Sequence, residues 1–307
     1  MSVTLIAAVA ALVLGHLAPS LAASLRHYGW YGDWLRWLGT RFAAGSAWHG
    51  RWGLVLALLP PSLLVGLFQA ALDEPLFGLP GLLFSIAVLF YAWGPRDLDV
   101  DVDAIADARD ARSRHDAAAR LFPDGTAPSL DGGALVGAVF RSAQRRWFGV
   151  LFWFLLLGPL GALLYRLVAL SAEGDAARAL PTETAAGART MLAILDWPVA
   201  QLMTLAMALV GNFDTVLGAW RDAGGASFAL DNRFLDAVAR ASVRVELAEE
   251  AADRFDEQAE QLSGAPGVAP AAVADMPELR DAMSLVWRSL LVWLAVLALF
   301  VIAGFVG

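Results

Sequence analysis

Residues Phe148 to Leu170 read FGVLFWFLLLGPLGALLYRLVAL. A transmembrane helix needs about 20 mostly apolar residues to cross a hydrocarbon core of ~30 Å, so a run of this length predicts a membrane span. Gly158, Pro159 and Gly161 interrupt it, and Arg166 places a charge inside it. Pro159 has no N–H for the carbonyl of Leu155, which predicts a kink, and Gly158 and Ala162 lie four apart on one face, where small residues permit close helix approach. An ionisable residue inside a span is a functional-site hypothesis by default, which singles out Arg166 and the Tyr165 beside it. The alternative reading of GPLGA is a packing kink with no further role.

Working outward, the whole composition points to the membrane. Of 307 residues 58% are hydrophobic and 17% charged, with a mean hydropathy of +0.58. A soluble domain is less apolar and more charged than this. There is no cysteine, which excludes disulfides, thiolate metal sites and a cysteine nucleophile. All 22 basic residues are Arg, so a phosphate-binding loop of the G-x-x-x-x-G-K-[ST] type and a lysine Schiff base are excluded too. A net charge of -8 and a pI of about 5.0 argue against nucleic acid as a partner. No Ser-His-Asp motif, zinc-ligand spacing or dinucleotide glycine fingerprint occurs.

Five further apolar runs flank the central one: Thr4 to Ala23, Trp52 to Leu72, Leu76 to Trp93, Thr190 to Phe213 and Ser289 to Val306. The first lacks a positive n-region and is followed by other hydrophobic runs, so it reads as a span rather than a signal peptide. Pro60, Pro61 and Pro80 make the second and third irregular. The connectors at 26–51, 94–146 and 214–284 hold 4, 8 and 6 Arg, whereas those at 73–75 and 171–189 hold 0 and 2. By the positive-inside rule the Arg-rich set is cytoplasmic. The expected fold is therefore all-α: one polytopic integral membrane helical bundle over residues 1–307, with about six spans, both termini periplasmic, and two mostly helical cytosolic segments at 94–146 and 214–284. Within them, Ala104 to Leu121 and Arg233 to Gln261 should be helices, and Ser263 to Pro277 a linker.

Three groups of residues could carry chemistry. Arg166 and Asp196, the latter beside Trp197 and Pro198, should lie at similar depth on consecutive antiparallel spans and so pair, because either alone in hydrocarbon is costly. Otherwise Arg166 snorkels and Asp196 caps a broken helix. Asp97, Asp99, Asp101 and Asp103 alternate with apolar residues after Arg96 and could bind Mg²⁺, or could simply favour the start of a helix. Arg141, Arg145 and Arg146 could clamp a phosphate-bearing ligand, or anchor the chain at lipid headgroups. Broken helices at Pro60-Pro61, Pro159 and Pro198 fit a transporter as well.

FWFLLLGPLGALLYRL, LDWPVAQL with the following GNFDTVLGAW, and GPRDLD at the start of the first cytosolic segment together resemble the AmpE family, bacterial membrane proteins associated with regulation of inducible β-lactamase. That family is similar in turn to the CobD/CbiB membrane synthases of cobalamin biosynthesis, which share G-P-x-G-A-x-x-Y-R, matched here by Gly158, Pro159, Gly161, Ala162, Tyr165 and Arg166. The AmpE resemblance implies a multi-pass protein of the bacterial inner membrane that senses a protein or small-molecule partner on the cytosolic side. The more distant one implies an enzyme condensing an amine with a carboxylate. Where the synthases carry Glu-Asn and Asn-Thr-x-Asp-x-Met elements this chain has SAQRRW and VALSAEG, so no catalytic residue carries over.

Overall fold

Ala and Leu dominate the apolar runs, and both favour helix over strand. In the computed structural model all regular structure among the described residues is helical. The description covers the chain apart from residues 1, 18–25, 44, 73–77, 95–96, 123–125, 228–229, 262–275 and 304–307. In chain order the helices are α1 (Ser2–Leu17), α2 (Gly29–Arg41), α3 (Gly53–Leu72), α4 (Leu79–Ala92), α5 (Leu98–Ala106), α6 (Ala111–Ala118) and α7 (Gly132–Ala143). A π-helical turn, Gln144–Phe148, then leads to α8 (Gly149–Leu157). After it come α9 (Pro159–Ala172), the single turn α10 (Asp175–Arg178), α11 (Thr182–Val210), α12 (Phe213–Asp222), α13 (Arg233–Gln261) and α14 (Pro277–Ile302). The chain forms two compact units, one of Met1–Asp97, Ala143–Ala200 and Trp293–Gly307, the other of Leu98–Ser142 and Gln201–Val292.

Among the described residues three helices are long and apolar enough to cross a membrane, at Gly53–Leu72, Thr182–Val210 and Pro277–Leu299. The expected runs at 52–72, 190–213 and 289–306 fall on these helices, the last two starting well before the apolar run. At 14 residues α4 reaches only about 21 Å.

The run from Phe148 to Leu170 departs from expectation. It is not one span but two helices folded against each other. Gly158 turns the chain with φ 69 and ψ −155, a backbone conformation that side chains other than glycine's rarely allow. Pro159 takes the first position of α9, where its missing N–H costs nothing, so it starts a helix rather than kinking one. Two more glycines let the backbones meet. A Cβ on Gly161 would lie 2.0 Å from the Trp153 carbonyl oxygen, and one on Gly149 would lie 2.2 Å from the Tyr165 ring. Residues 149 and 165 would stand about 24 Å apart on a straight helix, so this contact requires the reversal. From α3, Gln69 closes the tip: its Nε2 donates to the Leu157 carbonyl at 3.3 Å and its Oε1 accepts from the Leu160 N–H at 3.0 Å.

Elsewhere in the first unit α1 packs on α4, and α3 on α9. Pro60 and Pro61 stand inside α3. Pro61 cannot donate to the Ala57 carbonyl, and Trp34 of α2 supplies the missing donor at 3.1 Å. At the start of α11, Thr184 donates to the carbonyls of Trp48 and Gly50, and Gly187 lies where a Cβ would sit 2.0 Å from the Arg51 carbonyl.

The second unit is built from both hydrophilic segments. Leu98, Ile105, Phe234, Leu235, Val238, Leu285 and Val286 are fully or almost fully buried in it. Arg141 pairs with Asp236, Arg288 with Glu246, and Trp287 donates to Asp99 at 3.0 Å. The helix expected over 104–121 begins earlier and divides into α5 and α6. The break has a local cause: Asp110 caps α6 by accepting from the Ser113 N–H at 2.8 Å, and that bond holds its carboxyl below the usual carboxylate range. The helix expected at Arg233 to Gln261 is α13. Of the expected linker, 263–275 lies outside the described residues, and Pro277 opens α14.

Candidate functional site: a buried polar cluster at the base of the hairpin

Folding α9 back on α8 brings Tyr165 and Arg166 level with the residues that precede α8. Neighbours on a helix point about 100° apart, so the two side chains enter different surroundings. Tyr165, fully buried, donates from its hydroxyl to Asp196 Oδ1 at 2.7 Å. Asp196 is itself only 3% exposed. Arg145 Nε stands 3.6 Å from the other carboxylate oxygen, and Arg145 Nη1 pairs with Glu173 just beyond the end of α9. Gln144 donates to the Asp196 carbonyl at 2.8 Å and Trp153 to the Leu195 carbonyl at 3.2 Å. The cluster thus ties the hairpin to α11 through one carboxylate and two backbone carbonyls. It also has an outer edge: the side chains of Arg145 and Glu173 remain 28% and 35% exposed. Gln144 and Arg145 open the π-helical turn, a geometry that often accompanies functional sites.

The Arg166–Asp196 pair expected from the sequence does not form. Arg166 donates instead to backbone carbonyls, from Nε to Ala92 at 2.7 Å and from Nη2 to Arg145 at 3.2 Å and Arg146 at 3.4 Å. It is one of three side chains on the C-terminal end of α4. Arg26 Nε takes the Phe90 carbonyl at 2.9 Å, and the Tyr28 hydroxyl takes that of Tyr91. Those are carbonyls at the end of a helix, where the dipole favours cations. Burial pushes the Tyr28 phenol up to about 12, against a smaller lowering by Arg166, which keeps it a donor. Gly94, at φ 103, completes the turn below, where a Cβ would sit 3.4 Å from Arg166 Nη2.

The other sequence candidates are dispersed. Gly158, Pro159 and Gly161 shape the hairpin, as described, and Trp197 is half-buried on α11. Arg96 lies outside the described residues. Asp97 precedes α5, Asp99 accepts from Trp287, Asp101 is buried 4.0 Å from Arg120, and Asp103 is exposed, so the four do not converge. Among the described residues no group of three or more acidic or histidine side chains is placed to hold a metal ion. Arg141 serves the second unit, while Arg145 and Arg146 belong to the hairpin base. Gln144, Glu173, Arg26 and Tyr28 were not singled out by sequence reasoning. The reversal at Gly158 brings Glu173 back to Arg145, and hydropathy does not register a reversal.

Compared with family models, with characterised proteins and with solved structures, the chain has no match in any of the three.

Proposed function

We propose that this chain is an inner-membrane regulatory protein of the AmpE type, which senses a partner or small ligand through a cytosolic unit and adjusts β-lactamase induction. The observation that carries this reading is the second unit. Two hydrophilic stretches, 98–142 and 201–292, separated in sequence by the hairpin and most of α11, build one compact body with its own core. They include most of the Arg-rich connectors that the positive-inside rule assigns to the cytosol. The hairpin base supports a regulatory role more than a catalytic one. Tyr165 and Asp196 are bonded to each other and Arg166 to backbone carbonyls, while Arg145 at the exposed edge could exchange Glu173 for an anionic ligand.

The topology we propose keeps both termini periplasmic but uses four crossings: the apolar runs 4–23 and 76–93, within which α1 and α4 lie, α3, and the apolar part of α14. The hairpin enters and returns. Thr184 and Asp196 tie the first half of α11 to Gly50 and to Arg145, both in Arg-rich connectors, so this half runs along the cytosolic side. Cysteines placed singly at Ser113 and Thr182 should then both label from the cytosol, whereas six spans would expose Thr182 to the periplasm. Deletion should change β-lactamase induction in the native host without affecting cobalamin synthesis. Rescue of a synthase-deficient strain, with no induction phenotype, would overturn the regulatory reading in favour of the amine–carboxylate condensing enzyme.

A further inference from the structure

In the second unit α13 and α14 face each other with polar residues at helical spacing. Ser242, Glu246 and Glu249 follow one another at i, i+4 and i+7 on α13, and Asp281, Ser284 and Arg288 at i, i+3 and i+7 on α14. Together with Glu250, and with Val210, Gly211 and Asn212 at the end of α11, they line a cavity of about 660 Å³. That is a volume typical of small-molecule sites. Four carboxylates and one guanidinium line it, and the guanidinium, Arg288, is already paired with Glu246.

One of the four carboxylates is not arranged like a solvated surface acid. Asp281 is only 8% exposed, yet its Oδ2 has no hydrogen-bond partner. A buried carboxylate oxygen without a donor is costly, and no described residue supplies one, so the donor is expected from a ligand in the cavity. An ammonium group offers three donors and the opposite charge. A bare metal ion fits less well, because no group of three acidic or histidine side chains among the described residues is placed to hold one. The acids are instead spread along the cleft, with Val210 and Val245 in its wall. Charges strung along a partly apolar cleft suit a flexible aliphatic chain carrying amines at intervals.

We propose that this cavity binds a small organic polycation of the linear polyamine class, with an ammonium group on Asp281. The inference stands apart from the β-lactamase reading, because binding is measured on the purified protein and an absent induction phenotype would leave it untouched. The test is isothermal titration of spermidine into full-length protein in detergent, at ionic strength held constant with NaCl. Saturable binding of one spermidine per chain is expected. Asp281→Asn keeps the shape but removes the charge, and should weaken binding about tenfold or more. Ser284→Phe leaves every charge in place and fills the cleft, so it should weaken binding as much, and it decides the question if Asp281→Asn does not fold. Unchanged affinity in a folded variant of either kind would overturn the proposal. So would equal heats from MgCl₂ at matched charge, which would show general screening of an acidic face.

Discussion

Replacing Gly161 by Ala tests the helix contact on which the hairpin depends. The added Cβ would lie 2.0 Å from the Trp153 carbonyl oxygen and 2.8 Å from the Leu157 Cβ, whereas ordinary contact begins near 3.4 Å. The first of these neighbours is backbone and cannot rotate away, so α8 and α9 must part by about 1.4 Å. Overpacking of this kind costs ~1–3 kcal/mol. Ala is favoured over Gly within a helix by up to about 1 kcal/mol, which offsets part of the cost. A net destabilisation of about 1–2 kcal/mol is expected, since parting the helices also stretches the Tyr165–Asp196 bond. Gly218, inside α12, supplies the control, because a Cβ there meets nothing within 4 Å. Gly218→Ala should be neutral or stabilising. The assay is denaturant unfolding in detergent, followed by tryptophan fluorescence. If Gly161→Ala matched or exceeded the wild type in stability, as Gly218→Ala should, the close approach of α8 and α9 would be refuted.

Tyr165→Phe should cost about 1–3 kcal/mol by leaving Asp196 Oδ1 without its donor. In a double-mutant cycle with Asp196→Ala the coupling should be about 1 kcal/mol, the usual net worth of a hydrogen bond, and strict additivity would show that the two side chains do not interact. Tyr28 gives a pH dependence. Its folded-state phenol titrates at about 12 because of burial, against an ordinary 10.0, so its contribution is present below pH 10 and is lost as pH rises toward 12. Unfolding measured from pH 9 to 12 should show that decline, and Tyr28→Phe should make it smaller.

The all-helical character was legible because it rests on composition and period. Apolar runs rich in Ala and Leu gave α3, α11 and α14, and the charged 233–261 stretch gave α13, since a helix that long leaves a regular pattern. The reversal at Gly158 was not legible, because hydropathy scores a straight span and a folded hairpin alike. Pro159 and Gly161 fit a kink in a straight span, but Pro also fits the first turn of a new helix. For the site, burial of Arg166 and Asp196 followed from their setting in apolar runs. Their partners did not, because these depend on the hairpin, which turns Tyr165 to Asp196 and sends Arg166 to the end of α4. The Pro60-Pro61 pair shows the same limit. The sequence marks a freed carbonyl at Ala57, but not that Trp34 would reach it.

The central claim is that residues 148–170 fold back rather than cross as one helix, and a single distance decides it. The chain has no native cysteine, so spin labels can be placed at Arg146→Cys and Leu170→Cys without background. A straight helix would separate these positions by about 36 Å. With Arg166 Nη2 on the Arg146 carbonyl and Leu170 one turn further along α9, the hairpin places them roughly 15 Å apart. Double electron–electron resonance on the protein in lipid nanodiscs should therefore give a distribution centred below 20 Å. A distribution centred near 36 Å would contradict the hairpin and restore the straight span.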